Sequence, residues 1–252
     1  MKYARINKLL VSLPLKMAND YFKFKQFTVR QQLCGMKVGT DGTLLGAWAQ
    51  APDGRGRILD IGTCTGLIAL MMAQRFPEAV VIGVDIDAGA IAQAQENVMN
   101  SPFFDRISIQ QMDAIKLEDD CGFDAIVCNP PYFVDSLTCP DKQRMVARHT
   151  VTLTYEGLSN AAYRLLKKDG YFSVVVPVEC KSRMENTARL EGFFVSRICL
   201  IKTTPQKEPK RQLIEFRKLP VYKEDIREGI IEISPNVRSA WYQELTQDFY
   251  IK

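Results

Sequence analysis

Asn129-Pro130-Pro131-Tyr132 stands directly after an apolar run, Phe123 to Cys128. Two consecutive prolines fix φ and remove two amide donors, so a loop of this kind is stiff and carries unused carbonyl oxygens. Asn129 Oδ1 and the Pro130 carbonyl can each accept one N–H of an amino group. With both hydrogens held, the nitrogen lone pair turns out of the plane of its ring or amide, toward an electrophile. Tyr132 offers a flat face on which a planar base or amide stacks. An electrophile that is already activated needs no strong base, and positioning with electrostatics then carries the rate. The competing reading of Pro-Pro is a strand terminator in a surface turn. What the rest of the chain places beside it decides between the two.

Three acids each follow an apolar run. Asp60-Ile61-Gly62-Thr63-Cys64-Thr65-Gly66 closes the run from Arg57. Gly62 can take backbone angles closed to other residues, and Gly66 lets the next helix pack closely. Asp85, followed by Ile86, ends the run Val80 to Val84. A carboxylate has two oxygens and no proton to donate, so it can accept both hydroxyls of a ribose. Asp113, followed by Ala114, comes after Ile107 to Gln111 and can accept the exocyclic amine of an adenine. Taken singly, these are a glycine-rich turn, a helix cap and a turn residue. Asp87 is the better cap, however, and three acids at the ends of three consecutive strands point to one pocket.

The elements that must position these groups alternate. Strands are expected at 57–61, 80–84, 107–111, 123–128 and 171–177. Helices are expected at 66–76, 88–100, 155–168 and 180–190, with Asp87 as a cap and Asp169-Gly170 as a stop. Continuous apolar strands with helical crossovers imply a parallel sheet covered on both faces, which binds ligands at the carboxyl ends of its strands. Two last strands, 193–202 and 212–219, have no helix between them and imply an antiparallel hairpin at one edge. The expected fold is therefore α/β and Rossmann-like, with a seven-stranded, mostly parallel sheet. We expect one domain over 1–252. It comprises an N-terminal extension (1–50), a core (51–222) and a polar tail (223–252) ending in an aromatic patch. Tyr21 to Phe27 alternates as a single half-buried strand, and Thr40 or Asp41 caps a helix from Gly42 to Gln50.

Composition narrows the class. The chain has 252 residues, 46% hydrophobic and 25% charged, as expected of a folded globular protein. No run is long and apolar enough to span a membrane, and the N-terminus does not read as a signal peptide. A single histidine and seven scattered cysteines, none in Cys-x-x-Cys spacing, argue against a zinc site and for no metal. Cysteines in that number are expected as free thiols in a reducing cytoplasm. The net charge of +4 permits a nucleic-acid partner without requiring one.

The Asp60 to Gly66 segment resembles the first motif of Rossmann-like S-adenosylmethionine (SAM) methyltransferases, usually Asp-x-Gly-x-Gly-x-Gly, with Cys64 in place of the middle glycine. A nicotinamide enzyme would also need a proton donor near its hydride acceptor, and the fourth strand ends in none. The run from Asn129 to Tyr132 resembles the signature of methyltransferases acting on adenine N6, guanine N2 or glutamine side-chain nitrogen. Three further stretches narrow the resemblance: Phe22 to Phe27, Met36 to Trp48, and Asn129 to Phe133. Together with Ala147-Arg148-His149 and Glu208-Pro209-Lys210-Arg211, they resemble the bacterial tRNA1(Val) (adenine(37)-N6)-methyltransferase family. The likeness runs over roughly residues 21 to 219.

The resemblance implies SAM as cofactor, adenine N6 as acceptor and a valine tRNA as partner. Asn129, Pro130, Pro131 and Tyr132 become the catalytic run. The expected cofactor set is Thr40, Asp41, Asp60, Gly62, Thr63, Gly66, Asp85, Ile86, Asp113, Ala114 and Asn129, with Asp41 near the methionine amino group. Lys142, Arg144, Arg148 and His149 after the catalytic loop, with Lys207, Lys210 and Arg211 before the last strand, would contact RNA at the pocket mouth. A monomer is favoured. Two other readings stand beside this one. A glutamine-N5 or rRNA guanine-N2 methyltransferase would share the catalytic run, although the former usually carries a separate helical N-terminal domain. An RNA-binding module that kept the fold without turnover is the non-enzymatic alternative.

Overall fold

In the computed structural model, which describes residues 20–131 and 153–251, the alternation seen in the sequence becomes a layered sheet. The parallel strands are β3 (Arg57–Ile61), β4 (Val80–Asp85), β5 (Ile107–Gln111), β6 (Phe123–Cys128) and β7 (Leu166–Pro177). They are followed by β8 (Phe194–Lys202), β9 (Arg211–Arg217) and β10 (Asp225–Ile230) in the order β10-β8-β9-β7-β6-β3-β4-β5. Side chains alternate across the pleat. Along β6, Ala125 and Val127 enter one hydrophobic core while Ile126 and Cys128 enter the other. Helices α1 (Thr40–Trp48), α2 (Leu67–Arg75), α3 (Ala88–Met99) and α6 (Ala240–Thr246) border the first core. Helices α4 (Tyr155–Leu165) and α5 (Lys181–Glu191) cover the second. Among the described residues no helix is long and apolar enough to cross a membrane.

Four expectations need correction. The sheet has eight strands, not seven, and the β8–β9 hairpin is internal because β10 pairs in parallel with β8 outside it. The segment read as a polar tail supplies that strand. Asp225, Arg227 and Glu228 are charges of the sort that protect a sheet edge, and they hide the strand from a hydrophobicity pattern. Gly229 of β10 lies under Trp241 of α6, where a Cβ would come within 2.3 Å of the indole.

The N-terminal strand is instead a hairpin, β1 (Tyr21–Lys23) with β2 (Thr28–Arg30), closed by Phe24 N–H to the Phe27 carbonyl at 2.8 Å. The aromatic end of the chain covers it. Lys25 N–H donates to the Phe249 carbonyl (2.8 Å), and Tyr250 stacks on Phe24 at 5.8 Å. Helix α1 starts at Thr40, and its N-cap is Gly39 with no side-chain cap, so neither Thr40 nor Asp41 caps it. Finally, α4 stops at Leu165, earlier than the Asp169-Gly170 turn. Leu166 is buried against Phe123 of β6, and Lys167 Nζ reaches both Asp124 oxygens at 2.9 Å.

Candidate active site

Register brings the expected residues to one end of the sheet. Ile61 pairs with Val84 on one side and Cys128 on the other, and Asp85 pairs with Gln111. Gly62, Asp85, Asn129 and Asp113 therefore leave four adjacent strands at the same edge. Asn129 is half-buried, Pro130 buried and Pro131 exposed. Tyr132 and the expected RNA contacts Lys142, Arg144, Arg148 and His149 lie outside the described residues, as does Cys139.

The glycine loop is wired by its own backbone. Gly62 and Thr63 amides both donate to the Val84 carbonyl, at 2.9 and 3.0 Å, and Gly66 N–H donates to Thr63 O at 2.8 Å. Cys64 N–H donates to Asp85 Oδ2 at 3.0 Å. Below the loop, Asp60 Oδ2 accepts from the Thr63 hydroxyl (2.7 Å) and from Ala69 N–H (3.1 Å) in the first turn of α2. A dinucleotide-binding loop must present free amides and a helix N-terminus to a pyrophosphate. Here the Gly62, Thr63, Cys64, Gly66 and Ala69 amides are already engaged within the protein, which leaves fewer donors for a pyrophosphate than such a loop presents.

Glycine is required where the turn reverses. Gly62 has φ +71° and Gly66 φ +77°. A Cβ at Gly62 would meet nothing within 4 Å, so the space above it stays open to a ligand. Cys64, at the position usually held by a glycine, adopts φ +49°, a left-handed conformation costly for a residue with a Cβ. The loop thus keeps the course of a glycine-rich turn despite the substitution. Gly83 of β4, not among the expected site residues, leaves room for the loop: a Cβ there would come within 2.8 Å of Thr63 Oγ1.

The acids differ in setting. Asp85 is half-buried, with Oδ1 accepting from Asp87 N–H at 3.0 Å. Each of its oxygens keeps a second lone pair for a ribose hydroxyl. Asp87 does cap α3, accepting from Ala90 N–H at 2.7 Å. Asp60 is fully buried, and its Oδ1 has no hydrogen-bond partner. Burial pushes its pKa up to about 7, opposed by the Thr63 hydroxyl and the Ala69 amide and reinforced by the charge of Asp85. The orphaned Oδ1 leaves one buried acceptor position beside the glycine loop that could meet a donor such as an ammonium group. Burial also drives the Cys128 thiol well above its ordinary range.

Asp113 Oδ1 accepts from Ile115 N–H at 3.0 Å, a turn role. Ala114 is buried in the second core. Ile86, Met112 and Ile115 are exposed apolar residues beside Asp85 and Asp113, of the kind that flank a purine. These features fit SAM. Thr40 is exposed at the start of α1. Asp41 and Arg211, expected at the cofactor and at RNA respectively, are paired with each other: Arg211 Nε reaches Asp41 Oδ2 at 2.9 Å and ties α1 to β9. Lys207 and Lys210 are exposed on the β8–β9 connection, at the same end of the sheet as Asn129.

Two positioning residues went unnoticed in the sequence. Asn97, on α3 and buried, accepts from Arg30 N–H and donates to both Arg30 O and Thr65 O, each at 2.8 Å, clamping the N-terminal hairpin to the glycine loop. Cys34 forms a disulfide with Cys64, with Cα atoms 6.3 Å apart. The expectation of free thiols therefore fails for this pair, while Cys121, Cys128, Cys180 and Cys199 are free. The partners are 30 residues apart in sequence, so spacing gave no sign of the bond.

Comparison with known proteins agrees with this geometry. Residues 40–198 match the model of the methyltransferase small domain family. A protein of Bacteroides thetaiotaomicron described as tRNA1(Val) (adenine(37)-N6)-methyltransferase is 47% identical over 93% of this chain and 99% of its own length. One of the same description from Phocaeicola vulgatus is 50% identical over 93% and 99%. Among solved structures, one described as a predicted O-methyltransferase from Agrobacterium tumefaciens superposes with a TM-score of 0.66. It is 19% identical and covers 83% of this chain and 96% of that one, a likeness of fold. The chain belongs to the methyltransferase small domain family and to the family of tRNA1(Val) (adenine(37)-N6)-methyltransferases.

Proposed function

We propose that this protein transfers the methyl group of SAM to N6 of adenosine 37, beside the anticodon of a valine tRNA. The observation that carries the reading is Asn129-Pro130-Pro131 leaving β6 next to the glycine loop that leaves β3. SAM, when bound, supplies a methyl group on positively charged sulfur. Asp85 holds the ribose hydroxyls and Asp60 receives the ammonium through its orphaned oxygen. Asn129 Oδ1 and the Pro130 carbonyl hold the two amino hydrogens of the extruded base, and Tyr132 stacks on its ring. No base is assigned, because the proton leaves only after the nitrogen has become cationic. Lys142, Arg144, Arg148, His149, Lys207 and Lys210 are the proposed phosphate contacts, and the enzyme acts as a monomer in the cytoplasm. An anticodon-loop purine is partly unstacked already, so extrusion is inexpensive.

The test is incubation with labelled SAM and total tRNA from a strain lacking the enzyme, followed by nucleoside analysis and mapping of the labelled tRNA. N6-methyladenosine at position 37 of valine tRNA is the expected result. Label in protein, in N2-methylguanosine, or in no product contradicts the proposal.

A further inference from the structure

Residues 31–38 run as a strap from β2 to α1, over the glycine loop. Gln32, Leu33, Gly35, Met36 and Lys37 are all exposed, so little burial holds the strap down. Leu33 N–H donates to Gln93 Oε1 of α3 at 3.1 Å, and Val38 N–H donates to Gln31 Oε1 at 2.7 Å. The Cys34–Cys64 disulfide adds a covalent tie, and it lands on the loop residue whose amide binds Asp85 Oδ2. Both cysteines are half-buried and so within reach of small thiols, unlike Cys128, Cys180 and Cys199.

We infer that Cys34 and Cys64 form a reversible redox site that sets the affinity for SAM. The inference rests on the cofactor reading of the glycine loop. Disulfides in a reducing compartment are typically transient or sensing, whereas those of secreted proteins are structural. Cys64 also occupies a left-handed position, unfavourable for any residue with a Cβ. The covalent tie offsets that cost only while it is formed. In the oxidised state the loop already has the course that presents Asp85 to a ribose. Reduction releases the strap, and the loop must then be ordered at the moment of binding, which weakens affinity.

The exchange balances with a low-molecular-weight thiol, RSH. One RS⁻ attacks a sulfur of the disulfide, breaking the S–S bond and leaving a mixed disulfide and one protein thiolate. A second RS⁻ attacks the mixed disulfide, releasing RSSR and the other thiolate. The two protons of the RSH molecules end on Cys34 and Cys64, and two electrons pass to the protein. Oxidation by RSSR is the reverse.

The experiment compares the full chain after equilibration with glutathione disulfide and after reduction with dithiothreitol. Alkylation and peptide mass mapping identify the linked cysteines, titration calorimetry gives the SAM affinity, and hydrogen exchange without SAM follows the amides of residues 62–66. We expect a Cys34–Cys64 linked peptide only in the oxidised sample. On reduction, SAM binding should weaken roughly fivefold and loop exchange should speed up. Cys34→Ser should sit at the reduced value in both buffers, and Cys121→Ser should respond like the parent. The parent comparison needs no variant, so misfolding of Cys34→Ser would leave it intact. Absence of the linked peptide, or equal SAM affinity in the two states, overturns the inference. Absence of SAM binding in both states overturns the cofactor reading and this inference with it.

Discussion

Two loops leave neighbouring strands at the site and are stiffened by opposite means. The glycine loop after β3 is held by hydrogen bonds: Val84 O, Asp85 Oδ2, Thr63 O and Asp60 Oδ2 each accept from it or from the first turn of α2. The start of the loop after β6, Pro130-Pro131, is stiffened by proline rings, which fix φ and donate nothing. The difference follows from the two tasks. A cofactor that returns with every turnover is bound by many groups, each contributing a part. An amino group that must be turned out of its plane depends on two acceptors, and the loss of one has no substitute. The first loop should therefore fail gradually and through affinity, the second abruptly and through rate.

The largest effect is expected at Asn129. Asn129→Ala should lower the methylation rate at saturating SAM and tRNA by roughly 10²–10³-fold, the range seen when one preorganised transition-state group is removed. Its SAM affinity by calorimetry should stay within about twofold of the parent. Next is Asp85→Ala, which removes both ribose acceptors and the anchor of the Cys64 amide. Hydrogen bonds to a charged group are worth about 1.5–3 kcal/mol, so SAM binding should weaken roughly a hundredfold, with the rate recovering at high SAM.

Smaller and pH-dependent is Asp60. Its acid is about half-protonated near pH 7 in the free protein. SAM affinity should therefore fall as pH drops below about 7, by at most about tenfold per pH unit, and Asp60→Asn should remove that slope. Stability runs the other way. The folded pKa lies above the unfolded one, so the stabilising contribution is complete below about pH 4 and is lost as pH rises to about 7. On the order of 4 kcal/mol of stability goes with it. In melting experiments the stability of Asp60→Asn relative to the parent should rise across pH 4–7. The smallest effect is expected at the Arg211–Asp41 bridge, which is partly exposed. Arg211→Met should cost about 1 kcal/mol or less of stability, diminishing in high salt.

The sequence was most legible where one residue type can serve one local need. Asp87 as a cap, the left-handed Gly62, and apolar runs for β3, β4 and β6 all stand where they were expected. It was least legible where partners are remote. Asn97 reads as a solvent residue of α3 until β2 is seen 67 positions away. Asp41 and Arg211 each read as a ligand contact, yet they meet across 170 positions. Strand β10 carries the charges of a sheet edge, and only its pairing with β8 marks it as sheet. Cys34 and Cys64 could not be matched because nothing local encodes the strap's path over the loop.

The most direct measurement of the contrast between the two loops is a single-turnover methylation assay, with SAM and tRNA both saturating, on Asn129→Ala beside Asp85→Ala. Asp85→Ala should approach the parent rate once SAM saturates, while Asn129→Ala should stay roughly 10²–10³-fold slow at any concentration. An Asn129→Ala rate within a few-fold of the parent, with the methyl group still found on adenine N6, would contradict that contrast.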